Sequence, residues 1–131
     1  MLVVDASALV DLILEKPPNE RLRERLSAAD ELHSPQLLDI EVLSVVRRLC
    51  ASGALTGDAG DSAVRLLCLL PISRYPHEPL RARVWVLRHT VTAYDAAYVA
   101  LAELLGLPLV TSDGRLCRSH GHSAVIESYG R

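Results

Sequence analysis

Apolar residues run along this chain in short blocks that alternate between two periods. Leu2-Val3-Val4 is a continuous apolar run that stops at Asp5, the signature of a short buried strand. Ala8, Leu9, Leu12 and Ile13 then recur at helical spacing until Pro17-Pro18 ends the helix. A polar helix follows, with Leu22, Leu26 and Ala29 as its inner stripe. Residues 31–34 read as a second strand, and Pro35 as the start of the next helix. That helix covers 36–51 and closes at Gly53.

Residues 56–69 predict another helix, 70–75 a third strand and 77–88 a further helix. The stretch TAYDAAYVALAE (residues 92–103) is helical and almost wholly small or apolar, with Gly106 as its stop. Residues 108–112 read as a fourth strand ending near Asp113, and Arg115 to Arg118 as a short helix. Ala124-Val125-Ile126 predicts a fifth strand. Strands alternating with helices point to an α/β domain with a mainly parallel central sheet of about five strands. No linker-like tract divides residues 1–131, so a single domain is expected.

Composition supports a packed core: half of the 131 residues are apolar, and Phe is absent, leaving the interior to Leu, Val, Ala and Ile. A net charge of -2 provides no global attraction for nucleic acid, so any such surface has to be local. Cys50, Cys68 and Cys117 have no metal-ligand spacing and are odd in number, which predicts reduced thiols in the cytoplasm. The N-terminal run is interrupted by Asp5 and Asp11, and no membrane-spanning segment is expected.

Ligands of open α/β sheets bind beyond the carboxyl ends of the strands. Asp5 follows the first strand and Asp113 the fourth, while Asp95 lies in the first turn of the 92–103 helix. Glu41 shares a helical face with Leu37, Leu38 and Val45, so it projects inward, whereas Asp39 falls on the opposite face and is expected in solvent. Each aspartate also has a local reading: Asp5 and Asp113 as helix caps, and Thr92-x-x-Asp95 as a variant capping box. An inward Glu41 requires a donor or a raised pKa. Four carboxylates brought to about 6 Å at an effective dielectric near 20 would repel by about 3 kcal/mol per pair, about 17 kcal/mol together. A domain stable by about 5–15 kcal/mol must offset that with protons or a cation, and hard oxygen donors suit Mg²⁺ or Mn²⁺.

VVDASALV, the inward Glu41, TAYDAAYVALAELLGLPLVTSDGRL and the SHGHSAVIE ending together resemble the PIN-domain ribonucleases, and more narrowly the VapC-type toxins of toxin–antitoxin modules. The resemblance spans nearly the whole chain and implies a three-layer α/β/α PIN-like fold. It implies that Asp5, Glu41, Asp95 and Asp113 form a catalytic, metal-holding site for one or two divalent ions, with Ser7 and Thr111 as supporting hydroxyls. It also implies endonucleolytic cutting of RNA to a 5′-phosphate and a 3′-hydroxyl, a VapB-type antitoxin partner and a homodimer. One departure is Leu116, where some relatives carry another acid.

Arg115 and Arg118 are candidate RNA-phosphate contacts, as are Arg47, Arg48, Arg81, Arg83 and Arg88. Tyr94 and Tyr98 could stack on bases or pack internally. His120-Gly-His122 lacks further placed ligands, so a polar loop is expected there rather than zinc. Apolar residues in 56–69 and 77–88 are candidate dimer contacts. Two other α/β designs with an aspartate after the first strand lose a required charge: dehalogenase-type phosphatases want an acid at Ser7, and receiver domains want a late lysine, whereas Lys16 is the only one. A non-catalytic PIN-like module that binds RNA or protein is the alternative to a nuclease.

Overall fold

The structure is a computed structural model that describes residues 1–130. Five parallel strands, β1 (Leu2–Val4), β2 (Leu32–Pro35), β3 (Ile72–Tyr75), β4 (Leu109–Thr111) and β5 (Ile126–Ser128), form one sheet in the order β3-β2-β1-β4-β5. The chain lays down β1, β2 and β3 in one direction, returns past them, and adds β4 and β5 on the other side of β1. The order therefore reverses between β1 and β4, where crossover loops diverge and leave a crevice at the carboxyl edge.

Helices α1 (Ala6–Leu14), α2 (Glu20–Ser27), α3 (Leu37–Ala51) and α4 (Gly57–Leu69) pack among themselves, and α5 (Arg81–Val86) packs on α6 (Ala93–Leu105). A short α7 (Gly114–Cys117) lies between β4 and β5. The crossovers put helices on both faces of the sheet, giving the expected three layers. The central strands are closed off entirely: Leu2, Val3, Val4, Leu109 and Val110 are all fully buried. α6 is buried continuously from Ala96 to Leu101 and on to Ala102, because it rests on β1, β2 and β4 and is covered by α5. Four alanines in that run bring its backbone close to the sheet. Gly106 ends it with a left-handed φ of 65°. Among the described residues no helix is long and apolar enough to cross a membrane.

Several boundaries differ from expectation. Pro35 belongs to β2, opposite Tyr75, rather than starting α3. At the strand's last residue its missing N–H costs little of the ladder, and the side chain of His77 supplies the helix cap instead, with Nε2 accepting from the Leu37 N–H at 3.0 Å. Residues 77–88 are not one helix: 3₁₀ turns at Glu78–Leu80 and Leu87–His89 flank α5, the first containing Pro79. β5 lies two residues beyond the expected Ala124-Val125-Ile126. Asp39 is not free in solvent but held by Arg74 through two bonds of 2.7 and 2.8 Å across α3 and β3.

Candidate active site

The register of the two central strands decides where the first acid goes. Val4 pairs with Val110, so β1 and β4 end side by side, and the Asp5 N–H still donates to the Val110 carbonyl. Asp5 is the N-cap of α1, accepting the Ala8 N–H at 2.9 Å, so its local capping role is real. The cap alone does not account for its surroundings. Ser7 Oγ donates to one carboxylate oxygen at 2.7 Å, and Thr111 Oγ1 donates to the other. Ser7 Oγ in turn accepts from the Ser112 N–H, and Thr111 Oγ1 from the Asp113 N–H, each at 3.0 Å. Residues separated by more than a hundred positions thus tie the ends of β1 and β4 together through one carboxylate.

Burial raises the Asp5 carboxyl to about 6 despite these three donors, with Asp95 adding like charge. Asp95 is half-buried in the first turn of α6, which Thr92 caps by accepting the Asp95 N–H at 3.2 Å. Its pKa is also raised, first by burial and then by Asp113, against a smaller lowering by Arg115. Glu41 is inward, as its helical face requires, and Tyr98 on α6 donates to its Oε1 at 2.6 Å. Burial raises its pKa too, opposed by that donor and assisted by Asp95. Asp95 therefore acts electrostatically on, or is acted on by, each of the other three acids.

Asp113 has the opposite balance. It caps α7 through the Arg115 N–H at 2.9 Å, and the Arg115 guanidinium spans its two oxygens at 3.3 and 3.2 Å. This guanidinium, first, holds the Asp113 carboxyl below its ordinary value. Leu116, at the position where some relatives have an acid, is buried instead.

Two cavities adjoin the acids. The larger, about 630 Å³, lies between α1 and α3 and is lined by Ser7, Asp11, Glu41, Arg48 and Tyr94 among others. The smaller, about 350 Å³, is lined by Thr92, Asp95, Asp113, Arg115, Arg118 and His120 among others. Of the arginines singled out, Arg115 and Arg118 line the smaller cavity with Asp95 and Asp113, and Arg48 lines the larger one with Glu41; Asp5 lines neither. Arg83 is committed to Glu103, and Arg88 stacks over Trp85 at 4.5 Å. Tyr94 is exposed at the rim, whereas Tyr98 is core. His122 is bonded to Ser119 at 2.7 Å rather than paired with His120.

The donor set is chemically suited to a hard cation: carboxylates and hydroxyls, without imidazole or thiol. Among the described residues, however, no three acidic, imidazole or thiol groups are close enough together to hold a metal ion. Three of the acids have partners of their own: Asp113 is bonded to Arg115, Glu41 to Tyr98, and Asp5 to Ser7 and Thr111. Tyr98 packs internally, one of the two expectations for it, but its hydroxyl's bond to Glu41 was missed. Its signal was present, because an inward glutamate needs a donor and Tyr98 follows Asp95 by three residues on the same helix.

Residues 2–120 match the family described as PIN domain. The chain is 42% identical over 127 residues to ribonuclease VapC12 of Mycobacterium tuberculosis, covering 97% of this chain and 98% of that protein. It is 43% identical over 116 residues to ribonuclease VapC9 of the same species, covering 88% of each. Among solved structures it is similar to FitAcB from Neisseria gonorrhoeae (TM-score 0.75, 18% identity, 98% of each chain). It is also similar to Mycobacterium tuberculosis VapC20, described as a sarcin-ricin loop cleaving toxin (TM-score 0.70, 17% identity, 95% of this chain and 98% of that one).

Proposed function

The chain belongs to the PIN-domain family, within its group of VapC ribonucleases, and from that premise we propose that it is an endoribonuclease toxin. In this reading it hydrolyses RNA phosphodiester bonds with Mg²⁺ or Mn²⁺ at Asp5, Glu41, Asp95 and Asp113. The observation that carries the proposal is Asp5: a carboxylate buried at the strand-order reversal, both oxygens held by hydroxyls, with Asp95 close enough to oppose its charge. Burying an acid beside another acid costs stability, which a structural cap alone would not need.

A divalent ion held by these oxygens would acidify a water and draw charge from the phosphoryl oxygens. The chain's own groups do the rest. Ser7 and Thr111 keep both Asp5 oxygens from rotating, and the first turn of α6 favours the Asp95 anion. Glu41, with its pKa raised and its carboxyl steadied by Tyr98, is suited to take the proton of the attacking water. Arg115 and Arg118 line the cavity shared by Asp95 and Asp113, where they can engage phosphates flanking the cut. The products of this reading are a 5′-phosphate and a 3′-hydroxyl.

A VapB-type antitoxin is the proposed protein partner, and a homodimer the proposed assembly. Exposed Leu66 and Leu69 on α4 and Trp85 and Val86 on α5 support an apolar contact of that kind. Free Cys50, Cys68 and Cys117 suit a reducing compartment such as the cytoplasm.

The test is RNA cleavage with Mg²⁺ or Mn²⁺, stopped by EDTA, in the wild type and in Asp95→Asn. The variant is expected to keep its circular dichroism spectrum and lose cleavage. Near-wild-type cleavage by the variant refutes the site. A metal-induced rise in melting temperature without cleavage of any offered RNA favours a non-catalytic binding module instead.

A further inference from the structure

Arg115 holds Asp113 in a way that a helix cap does not require. The backbone N–H of Arg115 already satisfies the cap at Asp113 Oδ1, yet its guanidinium also spans both carboxylate oxygens. The Arg115 side chain is 85% exposed and that of Asp113 only 26%. Such an exposed pair is weak, because water and salt screen it and the long side chain loses freedom in forming it. A second guanidinium stands beside it: a Cβ placed on Gly114 would lie 3.7 Å from Arg118 Nη1. Arg115 and Arg118 thus crowd one cavity wall that offers a single paired carboxylate, with Ser119 and His120 completing the rim.

We propose that Arg115 is a tethered cation that latches Asp113 and is displaced when a divalent ion and RNA arrive, freeing the carboxylate for the ion and the guanidinium for a phosphate. The inference rests on the nuclease reading above and adds a regulated ligand to it. Displacement leaves Asp113 in place, since the Arg115 N–H bond and the α7 turn do not depend on the guanidinium. The exchange is also near-neutral electrostatically: the guanidinium moves from one anion to another across the same small cavity.

The latch predicts opposite effects on metal and RNA. Mn²⁺ binding is titrated by electron paramagnetic resonance, without RNA, in the full chain carrying Arg115→Gln, Arg115→Lys, Asp113→Asn or Asp113→Asn with Arg115→Gln. Arg115→Gln is expected to tighten Mn²⁺ binding about two- to fivefold, the size of an exposed ion pair. Arg115→Lys is expected to tighten it as well, since an ammonium keeps the charge but cannot span both oxygens. In the Asp113→Asn background most of the Arg115→Gln gain is expected to vanish, leaving the smaller part that comes from the Arg115 charge acting on Asp95. For RNA cleavage in Mn²⁺, Arg115→Gln is expected to raise KM several-fold.

If Arg115→Lys matches the wild type while Arg115→Gln tightens, a general field effect replaces the latch. Tightening that persists undiminished in Asp113→Asn, or an unchanged KM, likewise overturns it. Absence of any Mn²⁺ binding by the wild type overturns the nuclease reading instead, so the two failures are distinguishable.

Discussion

Replacing Asp5 with Asn should make the metal-free protein more stable at neutral pH while ending its activity. Asp5 is only 5% exposed, and its carboxyl is raised from 3.8 to about 6, chiefly by burial. The folded state therefore holds this proton more tightly than the unfolded chain does. Stability from this source is full below about pH 3.8 and falls as pH rises through the window up to about 6. At about 1.4 kcal/mol per pH unit the window corresponds to about 3 kcal/mol by pH 7.5. Asn removes that charge and can keep the contacts: its carbonyl accepts from the Ala8 N–H and the Ser7 hydroxyl, and the Thr111 hydroxyl can turn to accept from its amide. Urea unfolding in EDTA is the assay, at pH 7.5 and again near pH 4. The variant should exceed the wild type by up to about 3 kcal/mol at pH 7.5, and the difference should shrink near pH 4. Added Mg²⁺ should narrow the gap by stabilising only the wild type. An Asp5→Asn protein that is less stable at pH 7.5, or whose advantage does not change with pH, would refute the claim that this carboxylate is held at a cost.

Tyr98→Phe tests the hydroxyl that donates to Glu41. Because that hydrogen bond lowers the Glu41 pKa, its loss should move the acid limb of the kcat/KM profile to higher pH, with kcat falling more than KM changes. A profile superimposable on the wild type would remove Tyr98 from the mechanism. Glu103→Gln tests the brace away from the site, where Glu103 accepts from Arg83 and from the N–H and hydroxyl of Ser123. Its carboxyl is depressed to about 2, first by Arg83, so its stabilising contribution is present above about pH 4.5 and lost as pH falls towards about 2. The variant should melt a few degrees lower at pH 7 with kcat unchanged. Equal melting temperatures at pH 7 would show the brace to be dispensable.

Particular residues show how far local pattern reaches. β1 follows from its apolar run, and α1, α4 and α6 from apolar spacing plus caps in their own sequence: Asp5, Thr56, and Thr92 with the Gly106 stop. The 77–88 stretch failed as a single helix because its apolar spacing says nothing of the 3₁₀ turns that join α5 to its neighbours. Pro35 failed because the cap of α3 comes from His77, forty positions away. The four acids were legible as candidates since each ends a strand, opens a helix or faces inward.

Short-range steric and hydrogen-bonding preferences are written into neighbouring residues, so the chain alone determined its alternating elements and its parallel sheet and marked four acids as candidates. Only the tertiary structure decided what each acid touches. Strand order placed Thr111 against Asp5, α6 packing brought Tyr98 to Glu41, and the wall of a small cavity gathered Arg118 beside the Arg115–Asp113 pair. Those contacts join distant parts of the chain, or depend on which parts crowd together, and a side chain's charge and reach do not name its partner until packing has chosen among them.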